Sequence, residues 1–460
     1  WHRRYGEALY RHGEMALSLK HFRIALKIFG HADPESLIGK MACGCIEFVR
    51  QNWHRLRSRI FGAKTASPRA ETLESIRAYE RLFEIHYLCN EQLSLFVTTF
   101  RSLNLSQEQG FLPGIARASS CVAITAGAMQ LHKTASQYAE QAIHFAEKSG
   151  NARSLAYSRS LNAIQFFAIG DWHRANESVA LGLQISKEIG DRRCFVEALA
   201  ISANPLVWQG EWDRAIESCN QLYLQSEKDN VPQATRWGMG LLLWCESARR
   251  PHHVDVTDYM QTIVGLMEAD HEEPDADRLF VRGALMLSHM RRGNWERAVE
   301  LANDVEAVLG KTQHVAFYLC QTYCALSDIY FALSLPGVDT PWISQNELKK
   351  RMRKLHSRIR IFSVAVPMSA PLRHLHAGRR KVLKGRLQSA RHKFQQALRS
   401  AESYGMPYFI GLIEFDLSDI AESESEKRTL RTEATERFRN IGIDQPSVVF
   451  PRVPVADGLR

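Results

Sequence analysis

The sequence predicts an all-α protein in which antiparallel helix hairpins stack into one continuous solenoid. Apolar residues recur at intervals of three and four along almost the entire chain, and sustained alternation of apolar and polar residues occurs only at 447–455. Breakers such as Gly150, Gly170 and Gly190 divide the pattern into stretches of about 12 to 20 residues. Short loops between helices of similar length indicate that neighbouring helices are antiparallel.

The composition is that of a folded protein without membrane spans. Of the 460 residues, 45% are apolar and 24% charged, and the formal net charge is +9, which excludes disorder over most of the length. The longest apolar run, at 239–245, is far shorter than the roughly 18 residues that a membrane helix needs. The nine cysteines stand mostly in apolar helical patterns, which is typical of thiols packed in a reducing compartment. We therefore expect a cytoplasmic protein without membrane contact.

A six-residue motif recurs at three points in the chain, with Gly first, Trp third, Arg fifth and Ala sixth. The copies are separated by 40 and 83 residues, so the second gap spans two repeats. A weaker copy follows Gly385, and the residues after Gly13 have the same small, large, small spacing in Ser18, Phe22 and Ala25. The repeat residues are Gly170, Trp172, Ala175, Gly210, Trp212, Ala215, Gly293, Trp295, Ala298, Gly385, Ala390, Phe394 and Ala397.

Each motif is predicted to form the turn of a helix hairpin. The Gly frees the backbone to end one helix, the next residue can cap the following helix, and the Trp covers the apolar seam. A small residue stands seven positions before most turn glycines and lets the two helices approach closely. These small residues are Gly6, Ala163, Ala203 and Gly378, with Met286 as the exception. The pattern therefore favours a structural role over a catalytic one.

The turn motif, the small residue before it and the Ala-x3-Phe-x2-Ala spacing after it resemble the tetratricopeptide repeat (TPR). Two features depart from that family, because the period is about 40 instead of 34 and the proline that closes each repeat is absent from the clear copies. The resemblance implies a right-handed superhelical α-solenoid. It also implies a groove, lined by the first helices of the hairpins, that holds a partner protein or peptide.

A narrower resemblance extends over nearly the whole chain. The chain is similar to the C-terminal repeat region of large bacterial signalling proteins that contain an AAA-type or STAND-type ATPase, often behind a class III adenylate or guanylate cyclase domain. The chain begins at Trp1 without a secretory leader, so we expect a piece of a longer protein. The resemblance implies a non-catalytic regulatory arm, with nucleotide chemistry upstream. The segments that carry it are 6–9, 25–26, 54–56, 103–106, 170–172, 190–192 and 438–446.

Nucleotide-binding motifs are incomplete, so no cofactor is predicted. The nearest phosphate loop is Gly310-Lys311-Thr312, which has Val305 in place of the required first glycine and no preceding strand. The pair Gly238 and Gly240 lacks the third glycine of a dinucleotide-binding fingerprint, and helix packing explains it better.

Hydrolase and metal motifs are also missing, and no catalytic residue or metal ligand is predicted. The densest group of ligand-type residues comprises His252, His253, Asp255 and Asp258, with 271–273 nearby. These residues follow and flank prolines in polar segments, which favours solvated loops over a metal site. A cryptic enzyme remains an open third class, although no motif supports it.

Residues 345–400 are strongly basic. They include sixteen Lys or Arg and one acidic residue, Glu347. Such a surface attracts an anionic partner, either an acidic protein or nucleic acid. The alternative is a solvated face neutralised by acids elsewhere in the protein. Aromatic residues for base stacking are scarce, since only Phe362 and Phe394 fall in the run. The candidate surface comprises Lys349, Lys350, Arg351, Arg353, Lys354, Arg379, Arg380, Lys381 and Lys384.

The organisation along the chain is predicted in four segments of one solenoid. N-terminal hairpins occupy 1–110, the TPR-like array 111–345, the basic repeats 346–440 and a terminal tail 441–460. The tail either packs back as a cap or hangs free. The function that we expect is protein interaction and regulation, and the alternative is an adaptor for nucleic acid or an acidic partner.

Overall fold

The computed structural model describes residues 1–31, 33–61, 69–229, 231–269, 274–311, 315–336, 338 and 340–443. Within these residues it contains twenty-one α-helices, two short 3-10 helices and no strand. The all-helical prediction is therefore confirmed. None of the described helices combines the length and apolarity needed to cross a membrane. The alternating run at 447–455 and most of the predicted tail lie outside the described residues.

Ten helices cover the first part of the chain. They are α1 (His2–Arg11), α2 (Met15–Ile28), α3 (Leu37–Phe61), α4 (Ala70–Leu88), α5 (Gln92–Glu108), α6 (Leu112–Ala128), α7 (His132–Ser149), α8 (Ala152–Ile169), α9 (Trp172–Glu188) and α10 (Arg192–Trp208).

Eleven more α-helices follow in the described residues. They are α11 (Trp212–Asp229), α12 (Pro232–Arg249), α13 (Val254–Ala269), α14 (Asp275–Arg291), α15 (Trp295–Leu309), α16 (Cys320–Leu333), α17 (Gln345–Ala365), α18 (Ala370–Val382), α19 (Leu387–Ser403), α20 (Pro407–Ser418) and α21 (Glu424–Asn440). The 3-10 helices are Phe317–Leu319 and Pro367–Ser369, before α16 and α18.

The described residues fall into two compact units. The first unit comprises those within Trp1–Ile201, Gln225–Ala234 and Asp270–Ala276, and the second comprises those within Ser202–Leu224, Thr235–Ala269 and Asp277–Arg460. In the first unit, α4 packs on α5, α6 on α7 and α8 on α9, while α6 also contacts α4 and α8. In the second unit, α16 to α21 pack consecutively in the same manner.

The turns of the central hairpins follow a regular spacing. Left-handed backbone conformations occur at every twentieth position from 90 to 210, and each one ends a helix. Glycine occupies five of these seven positions, but Asn90 and Gln130 have φ of 56° and 68° without being glycine. One helix with its turn thus takes twenty residues, and a hairpin of two helices takes 40, which is the spacing between Gly170 and Gly210.

The repeat residues form the turns and the seams between paired helices. Gly170, Gly210, Gly293 and Gly385 all have φ between 67° and 79°. The side chain of Asp171 accepts a hydrogen bond from the backbone N–H of Arg174, and Asn294 caps α15 in the same way. The alanines at the sixth motif position, with Phe394 and Ala397, are fully buried.

The tryptophans of the motif are not equivalent. Trp212 and Trp295 are buried, and the indole N–H of Trp212 donates to the carbonyl oxygen of Val207 at 2.6 Å. Trp172 is only half-buried, with its ring centroid 6.3 Å from that of Phe167. The Trp thus covers the seam fully in two of the three copies.

Candidate anion-binding sites

The predicted basic surface lies on α17, α18 and the turn that leads to α19. Leu348, Met352 and Leu355 form the buried stripe of α17, so the Lys and Arg residues between them face outward. Five of the nine predicted residues are exposed and three are half-buried. The exposed ones are Lys349, Lys350, Arg353, Lys354 and Lys384, and the half-buried ones are Arg351, Arg380 and Lys381.

Arg379 does not belong to this surface, so the predicted set of surface residues is wrong at this position. Its side chain is 2% exposed, and it forms ion pairs with Asp328 (Nη1–Oδ1 2.5 Å) and Asp416 (Nε–Oδ2 2.6 Å). Burial raises the pKa of Asp416 to about 6, although Arg379 opposes that shift. Both carboxylates are distant in sequence, so the local basic pattern gave no sign of them.

Part of the remaining charge is neutralised inside the second unit. Arg351 contacts Glu347 at 3.1 Å, and Lys350 lies 3.8 Å from the same carboxylate. The ammonium group of Lys354 is 3.5 Å from the carboxylate of Glu306 in α15. The same carboxylate forms an ion pair with the buried Arg358 at 2.6 Å. The predicted alternative of neutralisation by the same chain therefore applies to this end of the surface.

Five cations at the other end have no such compensation. We call Arg353, Arg380, Lys381, Lys384 and Arg386 the basic cluster. No carboxylate of the described residues forms an ion pair with any of them. The neighbouring charges, Arg380 first, lower the pKa of Lys384, while burial and Arg353 lower the pKa of Arg380. Like charges are therefore crowded together here.

The hairpin turn at Gly385 creates this crowding. Gly385 has φ of 67° and separates Lys384 from Arg386, the N-cap residue of α19. Asp171 and Asn294 occupy the equivalent position in two other copies and cap their helices, but Arg386 makes no side-chain cap. An arginine there also adds positive charge at the positive end of the helix dipole, which is unfavourable.

A second site, which the sequence did not predict, is a cavity of about 730 Å³ in the first unit. Its lining comes from α1, α4, α6, α8 and α10, with His12 and Asp191 from the turns beside them. The helices α1, α4, α6 and α8 are each the first helix of a hairpin. Helix α10 ends at the turn at Gly210. Eight arginines line the cavity: Arg3, Arg4, Arg11, Arg77, Arg81, Arg117, Arg153 and Arg193.

A network of ion pairs holds the inner arginines of the cavity. Arg81 contacts Glu7 at 3.0 Å and Glu84 at 2.5 Å, and Arg193 contacts Glu84 at 2.6 Å and Glu197 at 2.7 Å. Burial would raise the pKa of Glu7, but Arg81 and Arg193 outweigh it and hold that pKa below its usual value. Burial dominates at Glu197 and raises its pKa.

Arg117 is held differently from the other inner arginines. One of its terminal nitrogens lies 3.1 Å from Glu80, and its guanidinium carbon stands 4.5 Å from the ring centroid of Tyr157. Its Nε is buried and has no hydrogen-bond partner among the described residues. An unpaired N–H of this kind is costly unless a ligand or water satisfies it.

The sequence contained only a weak signal for the cavity. Arg3, Glu7 and Arg11 on α1 are spaced by four, as are Arg193 and Glu197 on α10, while Arg81 and Glu84 on α4 are spaced by three. Such spacing is typical of ion-pair ladders on solvated helix faces. Nothing local shows that five separate helices bring these ladders together.

The other sequence candidates lack the geometry of a site. Gly310 ends α15 in an ordinary helical conformation with φ of −66°, and Thr312 lies outside the described residues. Gly240 is within α12, where a Cβ atom would lie 2.7 Å from the ring of Phe280. His253 contacts Asp255 at 3.1 Å on the surface, and residues 271–273 lie outside the described part.

Throughout the described chain, no three His, Cys, Asp or Glu side chains are arranged to hold a metal ion. No model of a known protein family matches the chain, and no curated protein matches it. Function must therefore be inferred from the fold and from these two sites.

Proposed function

We propose that this chain is a helical-repeat interaction arm that binds an acidic segment of a partner protein at the basic cluster. The observation that carries the proposal is Arg386, which replaces the capping residue in a turn that already contains Lys384. Side-chain caps are also absent at Glu14, Glu91 and Leu131. Arg386 in addition places a cation at the positive end of the helix dipole, and this cost is expected to be offset by a gain elsewhere. Binding an anion is the gain that this chemistry offers.

The physical argument starts from the uncompensated charge. An acidic segment would relieve the repulsion among the five cations, and its carboxylates could pair with the forked guanidinium groups of Arg353 and Arg386. Since the cluster lies at the surface, added salt would screen the attraction. Affinity is therefore expected to fall as the ionic strength rises.

The wider role is that of a regulatory arm of a multidomain bacterial signalling ATPase or adenylate cyclase. Support comes from the sequence motifs that resemble such repeat regions and from the helical hairpins, which offer extended surfaces for partners. The test is the intact mass of the native product, with the reading frame upstream of Trp1. A mass far above 52.4 kDa is expected. A native product close to that mass would remove this part of the proposal.

Nucleic acid is the second candidate partner for the same cluster. The crowded cations suit a phosphate backbone as well as carboxylates. However, the two aromatic residues of the basic run, Phe362 and Phe394, are fully buried and cannot stack on bases. An acidic protein segment is therefore the better candidate.

The substitution Arg386→Asp tests the acidic-segment proposal, because it should change binding and stability in opposite directions. Asp at the N-cap is expected to stabilise the protein by about 1 kcal/mol, while the lost cation weakens binding. The matched control is Arg428→Asp, an exposed position inside α21 with the same change of charge. Binding of a fluorescent decaglutamate peptide is measured by anisotropy, beside a single-stranded DNA of equal length.

We expect Arg386→Asp to weaken peptide binding by about tenfold or more, since a charge-assisted contact contributes about 1.5–3 kcal/mol, and Arg428→Asp to leave it near that of the unaltered protein. Equal losses in the two variants would mean a general charge effect and would contradict the proposal. Tighter binding of DNA than of peptide would favour the second candidate instead.

A further inference from the structure

The arginine-lined cavity of the first unit lies far along the chain from the basic cluster and has a different character. Its volume of about 730 Å³ falls within the range of pockets for small molecules, roughly 300–1,000 Å³. Arg81, Arg117 and Arg193 have side chains only 14–23% exposed, whereas Arg4 and Arg11 are exposed. The cavity therefore combines recessed cations with cations that are open to solvent.

The charge inside the cavity exceeds what its own acids can neutralise. Eight arginines line it, against four carboxylates, those of Glu7, Glu80, Asp191 and Glu197. Adding Glu74 and Glu84, which pair with these arginines from outside the lining, brings the acids only to six. An excess of positive charge remains within a partly dehydrated space, where an anion is attracted more strongly than at an open surface.

Two cations of the cavity are left available for a ligand. Arg4 forms no ion pair within the described residues, and Arg11 approaches Glu7 only to 3.8 Å. Meanwhile, the carboxylates that hold Arg81 and Arg193 fix those guanidinium groups in position, which lowers the entropic cost of binding.

We propose that this cavity binds a small anion that carries at least two phosphate or carboxylate groups, so that the arm also senses a metabolite-sized ligand. The anionic groups would contact arginines from several of the five lining helices at once. A ligand that ties α1 to α10 stabilises the folded first unit, because it binds that state and not the unfolded chain.

The cavity does not suit the larger anions. A nucleic acid duplex is wider than a pocket of this volume, and the ring of Tyr157 in the lining is already covered by Arg117. A long acidic peptide could place only a few residues inside. The expected ligand is therefore compact and multiply charged, and the inference goes beyond the partner proposed for the basic cluster.

The test measures binding of pyrophosphate and of citrate to the full chain by titration calorimetry, with sucrose as the neutral probe. The test variant is Arg4→Gln with Arg11→Gln, which removes two exposed cations of the cavity without breaking the inner network. The matched control is Lys20→Gln with Lys133→Gln, two exposed cations on α2 and α7 outside the cavity.

We expect at least one of the two anions to bind and to raise the melting temperature. The Arg4/Arg11 variant should bind about tenfold more weakly, and the lysine control should bind as the unaltered protein does. Stronger binding of pyrophosphate would assign the site to phosphates, and stronger binding of citrate to carboxylates. Either result supports the proposal.

Three outcomes would overturn it. One is the absence of binding by both anions at low salt, and another is an equal loss in the test variant and the lysine control. The third is a loss of pyrophosphate binding in Arg386→Asp but not in the Arg4/Arg11 variant, which would place the anion on the basic cluster. That comparison also separates a failure here from a failure of the proposed function.

Discussion

Gly378 lies directly against the ring of Phe394, because a Cβ atom at position 378 would stand 2.5 Å from the ring carbon Cδ1. Gly6 and Phe22 are sixteen residues apart, like Gly378 and Phe394, and they stand in the same relation, with a looser clearance of 3.2 Å. The small residue before the turn and the large one after it are thus two halves of one contact between paired helices.

Substituting Gly378→Ala should destabilise the second unit by about 1–3 kcal/mol, because Phe394 is fully buried and cannot move aside freely. Gly6→Ala should have a smaller effect, since its clearance is larger. The control is Gly265→Ala in α13, where a Cβ atom would meet nothing within 4 Å, so the helix should gain about 0.5–1 kcal/mol. Urea denaturation of the three variants gives the comparison, and equal effects would contradict this account of the seam.

Replacing Gln130 by Gly should stabilise the first unit by about 1 kcal/mol. Gln130 has φ of 68°, a conformation that a side chain disfavours, and it is exposed. Gln137→Gly, at an exposed position in the interior of α7, should instead cost about 1 kcal/mol. Thermal denaturation measures both variants. A loss of stability on Gln130→Gly would show that the turn depends on the side chain.

Removing the buried cation in Arg379→Met should cost about 3–5 kcal/mol, because Asp328 and Asp416 would lose their shared partner. Without Arg379, the pKa of Asp416 should rise beyond its present value of about 6. An acid with a raised pKa in the folded state destabilises the protein as the pH increases. The loss should therefore be larger at pH 8 than at pH 5.

Guanidinium denaturation at the two pH values checks this expectation. Arg353→Met serves as the control because that arginine is exposed and has no ion pair among the described residues. A loss that is equal at both pH values would contradict the role given to Asp416.

The second unit should become less stable in mild acid because of His376. This ring is fully buried, its Nε2–H donates to the carbonyl oxygen of Met352 at 3.2 Å, and its Nδ1 accepts from Ser327 at 2.9 Å. Burial lowers the pKa of His376 to about 3, with the neighbouring His356, Arg379 and Arg380 acting in the same direction. The ring of His376 therefore stays neutral in the folded state, whereas in the unfolded chain it is protonated below pH ~6.5.

From pH 6.5 to pH 5, this difference should remove about 2 kcal/mol of stability. His376→Gln should be less stable at neutral pH but should lose less on acidification, whereas the exposed His392→Gln should lose as much as the unaltered protein. Denaturation curves at several pH values measure these slopes. An unchanged slope in His376→Gln would exclude this histidine as the cause.

Some features could be predicted from the sequence because they depend on neighbours within one hairpin. The spacing of Gly378 and Phe394 is set by two helices and one turn, so a local pattern reveals it. The turn at Gln130 has no glycine to mark it in the sequence, although Ala135, Ala139 and Ala142 follow it at the offsets of the repeat and are fully buried. The spacing of those alanines is the local sign of this turn.

The charged sites could not be predicted because they depend on residues far apart in the chain. Arg379 resembles its exposed neighbours Arg380 and Lys381 in sequence, and only the folded structure brings Asp328 and Asp416 to it. The same holds for the cavity, where Arg193 meets Glu7 across 186 positions at 3.4 Å. Periodicity identifies the side of a helix that is buried, but not the charge that faces it.

The even spacing of the left-handed turns from 90 to 210 has a consequence for how such a chain can evolve. Alternate turns mark equivalent points of the repeat, so excising or duplicating the 40 residues between them rejoins the helices in the same phase. Unequal recombination within the gene would therefore yield shorter or longer arrays that still fold, although each excision would also remove a helix that lines the cavity, such as the one carrying Arg117 or Arg153.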